Sequence, residues 1–165
     1  MNAIVAVDRN WGIGYEGCLL TNIPGDLRYF RRMTLGKVVV MGRATFDTLP
    51  GKKPLAGRTN IVLSRDPAFQ PDCRVCRSYD ELYAELGNYD PKDIFIIGGQ
   101  SVYHLMLDCC ERILVTKIDQ DCIADCHFPD LDRRPEWELI ACGDPVEEEG
   151  VVYRFTEYRR KWGQE

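Results

Sequence analysis

An acid on the apolar side of a helix is the residue of this chain with the clearest chemical use. In IPGDLRYFRRMT, residues 23 to 34, Ile23, Tyr29, Phe30 and Met33 lie three, four or seven positions from Asp26 and share its helical face. That face is expected to be buried. Burial disfavours the charged form of a carboxyl group and lifts its pKa toward the range in which it can hold and pass protons. A purely structural reading of the same residue stands beside this one: Pro24 suits the first helical position, and an acid in a first turn suits the helix dipole whether or not it does chemistry.

Two loops have the character of an anion cradle. In DIFIIGGQSVYHLML an apolar strand runs into Gly98 and Gly99 and then directly into a helix. A glycine pair lets the backbone approach a ligand closely, and the helix behind it opens on free N–H groups that suit a phosphate. MGRATF, residues 41 to 46, repeats the plan: Gly42 follows a strand, and Arg43 and Thr45 place a fork of donors and a hydroxyl at a helix start. Ser64 and Arg65, after TNIVL, and Arg77 farther on form a third group able to grip an additional phosphate. Each signal is weak alone, because glycine pairs also make plain turns, GGQSVY lacks the GxGxxG of a Rossmann turn, and any one arginine can be an ordinary solvated side chain.

Eight cysteines raise the question of zinc or disulfides. Cys73 and Cys76 form a CxxC, but Cys122, Cys126 and His127 do not make a matching second pair, and Cys18, Cys109, Cys110 and Cys142 fit no framework. The expectation is no metal and thiols used as small semi-apolar residues, as in a reducing cytosol. His104 and His127, the two histidines, are expected to be structural or solvent-facing.

The elements that must position these groups alternate. Strands are expected at residues 3–7, 37–42, 59–64, 73–76, 93–98 and 112–118, and helices at 24–34, 43–49, 78–86 and 100–107, with Ser78 as a cap. Near-continuous apolar strands separated by helices predict an α/β domain whose mostly parallel sheet has both faces covered. At the end, WELIACG and VVYRFTEYRRK, joined by the acidic turn DPVEEEG, predict an antiparallel pair completing one edge. A chain of 165 residues fits one domain, residues 1–165. The net charge of −5 argues against nucleic acid as the main partner, and no apolar run approaches the roughly 20 residues of a membrane span. The N-terminus lacks the basic region and apolar core of a signal peptide, so a cytoplasmic location is expected.

Taken in order along nearly the whole chain, AVDRNWGIGYEG, IPGDLRYFRRMT, VVVMGRATF, LPGKKPLAGRTNIVLS, IFIIGGQSVY, ILVTKID and HFP resemble dihydrofolate reductases of the bacterial type. Order and spacing together carry the resemblance. It implies a central, mostly parallel sheet of about eight strands with an antiparallel C-terminal strand and helices on both faces. It also implies an enzyme of one-carbon metabolism, a monomer, that passes hydride from the nicotinamide of NADPH to the pterin of 7,8-dihydrofolate and is a target of antifolate inhibitors.

The resemblance assigns residues individually. Asp26 falls on the family's pterin-directed acid, which can pair with the ring amide and the exocyclic amino group and favour protonation of the ring nitrogen. Thr116 matches the hydroxyl supporting it. Val5, Ala6, Leu20, Leu27, Phe30, Leu49 and Leu55 match apolar walls of the substrate cleft, and Arg58 the clamp on the glutamate tail. On the cofactor side, Ala6, Ile13, Gly14 and Leu19 match nicotinamide contacts, with Tyr103 beside them. Gly42, Arg43, Ala44, Thr45, Ile97, Gly98, Gly99, Gln100, Ser101 and Val102 match the diphosphate region. Leu63, Ser64, Arg65 and Arg77 match the surroundings of the phosphate that distinguishes NADPH from NADH.

One departure stands out. Where the family usually reads Leu-Pro-Trp, this chain reads Leu19, Leu20, Thr21, losing an aromatic surface and a rigid proline beside the acid. That motivates one rival, a non-catalytic or weakly active NADPH-binding protein. A second rival, a riboflavin-pathway pyrimidine reductase, would lack the acid and the tail arginine.

Overall fold

Successive side chains of a strand face opposite sides of a sheet, so a strand that is apolar at every position needs cover on both. The computed structural model describes residues 1 to 161. Its strands are β1 (Asn2–Val7), β2 (Gly12–Tyr15), β3 (Cys18–Leu19), β4 (Val38–Gly42), β5 (Thr59–Leu63), β6 (Arg74–Cys76), β7 (Ile94–Gly98), β8 (Arg112–Ile118), β9 (Cys126–His127), β10 (Trp137–Cys142), β11 (Val146–Glu148) and β12 (Val151–Arg160). The helices are α1 (Pro24–Thr34), α2 (Arg43–Asp47), α3 (Tyr79–Leu86) and α4 (Gln100–Met106). The main sheet runs β10-β12-β8-β1-β7-β4-β5-β6, and β11 also pairs with β12. From β8 to β6 every pairing is parallel, while β12 lies antiparallel to β8, and β10 and β11 antiparallel to β12.

The alternation of side chains sorts the core into two layers. Val5, Val7, Val38, Val40, Ile61, Ile94, Ile96, Ile113 and Val115 pack with Leu82 and Leu86 of α3 and Val102, Tyr103 and Met106 of α4. Their neighbours Ile4, Val39, Met41, Val62, Phe95, Ile97 and Leu114 face the other way, against Phe46 of α2 and the half-buried Tyr29, Phe30 and Met33 of α1. A third cluster of Ile23, Ile118 and Tyr153, with Ala6 and Phe155 against it, lies under the start of α1.

Several boundaries differ from expectation for local reasons. α2 stops at Asp47 rather than residue 49, because Leu49 precedes Pro50 and is extended (φ −68°, ψ 149°). The acidic segment DPVEEEG contains β11, and the reversal into β12 is a two-residue turn in which both Glu149 and Gly150 have positive φ. A second sheet, β3-β2-β9, was not anticipated: GIGY is half glycine and its partners are two residues long, so no periodic pattern announces it. Ser78 caps α3 as expected, accepting the Glu81 N–H.

Cys73 packs among the residues facing α1 and α2, whereas Cys76 is buried in the layer facing α3 and α4. The sheet therefore separates the two thiols of the CxxC. All eight cysteines are free, and no metal-binding group of His, Cys, Asp and Glu occurs among the described residues. His104 and His127 are both exposed.

Candidate active site

Asp26 sits in the first turn of α1, just past Pro24, and the preceding Ile23 is only 6% exposed and anchors the helix start. The carboxylate takes its hydrogen bond from the sheet and not from its own helix: Thr116 on β8 donates through Oγ1 to Asp26 Oδ1 at 2.7 Å. Thr116 is buried and lies opposite Ala6 of β1, so two adjacent central strands present a small apolar group and a hydroxyl beneath the acid. Burial raises the Asp26 pKa above its ordinary value, and the Thr116 hydrogen bond, which favours the charged form, only partly offsets it.

The apolar face of α1 is less enclosed than the sequence suggests. Thr34 is the fully buried residue of the helix, Tyr29, Phe30 and Met33 are half-buried, and Leu27 is 49% exposed. The acid therefore sits half-buried at the start of a helix that is open along much of its length. Phe30, Leu49 and Leu55 pack against one apolar layer. Val5 does not: Ala6 and Val5 are adjacent on β1 and must point to opposite faces, and Val5 is turned into the core with Val7 and Val115. The assignment of Val5 as a wall residue is corrected on that ground.

Arg58 lies beside a half-open cleft of about 660 Å³ that Lys53, Leu55, Asn60 and Arg74 also line. Its guanidinium donates to the Ala56 carbonyl (3.0 Å) and the Thr34 hydroxyl (3.3 Å). Partial burial, with Arg31 nearby, lowers its pKa. Asn60, which sequence reasoning passed over, holds this loop: its buried amide accepts the Leu55 N–H and donates to the Leu55 and Arg58 carbonyls. A polar residue inside the apolar run TNIVL was the available signal.

The two glycine loops are neighbours. β4 and β7 pair with Met41 opposite Gly98, which brings the two strand ends and the helices behind them together. A methyl group at Gly98 would lie 3.2 Å from Thr45 Oγ1, one at Gly99 3.4 Å from the same atom, and one at Gly42 3.2 Å from Val102 Cγ2. Each loop is glycine where the other approaches, so the two form a single cradle. Such a cradle fits the diphosphate of a dinucleotide, which needs close backbone approach. Tyr103 closes its base, with its hydroxyl donating to the Ile4 carbonyl at 2.7 Å and its ring edge-on to Phe128. Ile13 is buried, Gly14 half-buried, and Leu19 69% exposed on β3. Ala44 and Ser101 are exposed at the cradle, and Gln100 Oε1 accepts the His127 N–H of β9 at 2.6 Å. Leu63 packs toward α3 and α4, and Ile97 toward α1 and α2.

The third group differs from a set of free cations. Arg77 spends its guanidinium on the carbonyls of Asp66 and Phe69 and so braces the loop after β5. Arg43 lies over the Phe69 ring, 3.9 Å from its centre, with Asp47 at 3.2 Å and Asp66 at 3.6 Å. Ser64 is buried and accepts the Asp66 N–H, and Arg65 is exposed with no ion pair among the described residues.

A contact invisible to local patterns ties the Asp26 turn to the end of the chain. Gly25 N–H and the Tyr153 hydroxyl both donate to Glu148 Oε2, each at 3.0 Å. A methyl group at Gly25 would collide with the Tyr153 hydroxyl and reach 2.6 Å from Glu148 Oε2. Gly25→Ala is therefore expected to displace the turn that carries Asp26. Misplacing a catalytic group by about 1 Å can lower a rate by roughly a hundredfold, so with Asp26 as the candidate acid a loss of ten- to hundredfold in kcat is expected. Steady-state rates with a melting curve check this, since a variant that melts lower yet keeps its kcat would place the strain away from Asp26.

The family model for dihydrofolate reductase matches residues 1–160. A dihydrofolate reductase of Bacillus subtilis is 33% identical over 96% of this chain and 93% of its own length. One from Aedes albopictus is 34% identical over 95% of each. A type 3 dihydrofolate reductase of Salmonella typhimurium is 40% identical over 79% of this chain and 78% of its own length. Among solved structures, the dihydrofolate reductase of Enterococcus faecalis complexed with NADP(H) and RAB-propyl superposes with a TM-score of 0.84 at 33% identity, covering 96% of this chain and 95% of that one.

Proposed function

The chain belongs to the dihydrofolate reductase family, and from that membership we infer how its own residues divide the work. It is an NADPH-dependent oxidoreductase that reduces 7,8-dihydrofolate to 5,6,7,8-tetrahydrofolate. Bound NADPH supplies the hydride. The diphosphate of the cofactor is assigned to the cradle of Gly42, Thr45, Gly98 and Gly99, and the observation supporting this is that glycines let the two loops meet closely, Gly98 and Gly99 against Thr45 and Gly42 against Val102.

The observation that carries the assignment of Asp26 is its 2.7 Å hydrogen bond from buried Thr116, made by an acid that is itself only half-buried. A carboxylate held there by one oxygen keeps Oδ2, which has no partner among the described residues, available to a ligand. It can accept from the amide N–H and the amino group of a pterin together, which fixes the ring's orientation. Its negative charge favours protonation of the ring nitrogen next to the carbon that is reduced, with water carrying the proton. Thr116 orients the acid and keeps its pKa from rising further. Ala6, Leu27, Phe30, Leu49 and Leu55 supply the apolar wall, and Arg58 the fork for the tail carboxylate. Loss of NADPH absorbance on adding dihydrofolate tests the whole reading; protein that binds NADPH and leaves dihydrofolate unreduced would sink it.

Thr21 enters as the substitute for an aromatic residue. It is half-buried in the irregular stretch between β3 and α1, and its hydroxyl has no hydrogen bond among the described residues. Rebuilding the stretch with Leu20→Pro and Thr21→Trp is expected to tighten a diaminopyrimidine antifolate and to lower the Michaelis constant for dihydrofolate. One aromatic contact is worth on the order of 1 to 3 kcal/mol. Inhibitor titration reads this directly, and unchanged affinity in the rebuilt enzyme would mean that neighbours already compensate.

The protein is further proposed to act as a monomer of one reductase domain in the cytoplasm. None of the eight thiols is bridged, which suits a reducing compartment. Sedimentation at micromolar concentration would show a dimer if that part is wrong.

A further inference from the structure

We infer that Asp66 is a specificity-determining residue: its carboxylate occupies the side of Arg43 that would otherwise be open to a cofactor phosphate, and so restrains the preference for the phosphorylated dinucleotide. The inference rests on the assignment of Ser64, Arg65 and Arg77 to that phosphate.

The loop after β5 is built around Asp66. Its N–H donates to Ser64 Oγ (3.3 Å), its Oδ1 accepts the Ala68 N–H (2.9 Å), and its carbonyl accepts from both Phe69 N–H and the Arg77 guanidinium. These contacts leave Oδ2 directed at Arg43 Nη1, 3.6 Å away. Asp47 flanks the same guanidinium through its Nε at 3.2 Å, and the Phe69 ring covers one of its faces. Phe69 is itself fixed, 8% exposed and edge-on to Phe46. Arg43 therefore meets two carboxylates and an aromatic ring before any ligand arrives.

Two consequences follow from charge alone. A dianionic phosphate held by Ser64 and Arg65 has the Asp66 carboxylate as a like charge on the next residue, with Glu81 at the Arg77 N–H, and Arg43 cannot serve it fully while paired with Asp66. Because the Asp66 side chain is 55% exposed, the pair is weak and water-screened, so the restraint is modest. Asp66→Asn keeps the acceptor for Ala68 and the backbone carbonyl that Arg77 holds, and removes only the charge.

The test measures dissociation constants for NADPH, NADH, 2′,5′-ADP and 5′-AMP by titration with wild type, Asp66→Asn, Arg65→Ala, Arg77→Ala and Arg43→Ala. Asp66→Asn is expected to tighten NADPH and 2′,5′-ADP by about three- to fivefold at low salt, with NADH and 5′-AMP unchanged, and the gain should shrink as ionic strength rises. Arg65→Ala and Arg77→Ala should weaken the phosphorylated pair selectively, with Arg43→Ala the least selective of the three. If Arg65→Ala stays selective while Asp66→Asn leaves NADPH unchanged or weaker, the inference about Asp66 falls and the pocket assignment stands. If the arginine variants weaken both cofactors equally, the pocket assignment fails and takes the inference with it.

Discussion

Asp26→Asn is expected to lower the rate of dihydrofolate reduction at pH 7 by about a hundredfold or more while leaving NADPH affinity unchanged. General acid–base assistance of this kind is worth roughly 10²- to 10⁴-fold. Asparagine keeps the size of the side chain and an oxygen to accept the Thr116 hydroxyl, so the loss isolates the negative charge. The deficit should narrow as pH falls, because dihydrofolate becomes protonated in solution and no longer needs the carboxylate to favour its cation. Equal rates for both proteins across the pH range would remove Asp26 from the mechanism.

The same substitution should stabilise the fold at neutral pH. Burial raises the folded-state pKa of Asp26 above 3.8, so between that value and its raised folded value the native protein holds more protons than the unfolded chain. Wild-type stability therefore falls as pH rises through that window, and the deficit persists above it. The substituted amide has no such charge to desolvate. The melting temperature of the variant should exceed that of wild type at pH 7, and the two should converge below pH 3.8. An acid that costs stability and supplies rate is placed for function.

How far the site could be anticipated depended on the range of the interactions involved. Asp26, the helix start at Pro24 and the glycine loops are local patterns, and each lies where its pattern implies. That the two loops form one cradle follows from the β4–β7 pairing, which the alternation of strands and helices suggests without specifying which strands adjoin. The β3-β2-β9 sheet, the Glu148 contact with Gly25 and the grip of Asn60 on its loop are side-chain or short-strand contacts made across the fold, and periodicity carries no information on them. Val5 fails as a wall residue for an opposite reason. Its neighbourhood in sequence with Ala6 does not make it a neighbour in the cleft, because strand geometry turns the two side chains apart.

Gly98→Ala is expected to be the most damaging single methyl group that can be added to the cofactor cradle. Gly98 has φ +130°, where an L side chain is strained at a cost of about 1 to 3 kcal/mol, and the added carbon would also stand 3.2 Å from Thr45 Oγ1 and 3.5 Å from the Tyr103 ring. Tyr103 cannot yield easily, being buried and held by the Ile4 carbonyl. The loop must therefore shift away from the position in which its backbone approaches the cofactor. NADPH affinity should fall by on the order of ten- to a hundredfold, which is the strain expressed as a binding constant if the cofactor requires the native loop. Gly99→Ala is the control, since Gly99 has φ −89° and its added carbon would make an ordinary 3.4 Å contact, so its loss should be severalfold smaller. Adding Thr45→Ala to Gly98→Ala separates the two causes. Removing the hydroxyl relieves the contact and leaves the backbone conformation, so little affinity should return. Substantial recovery in the double variant would assign the defect to crowding between the loops and would leave the left-handed backbone of Gly98 without a part in holding the cofactor.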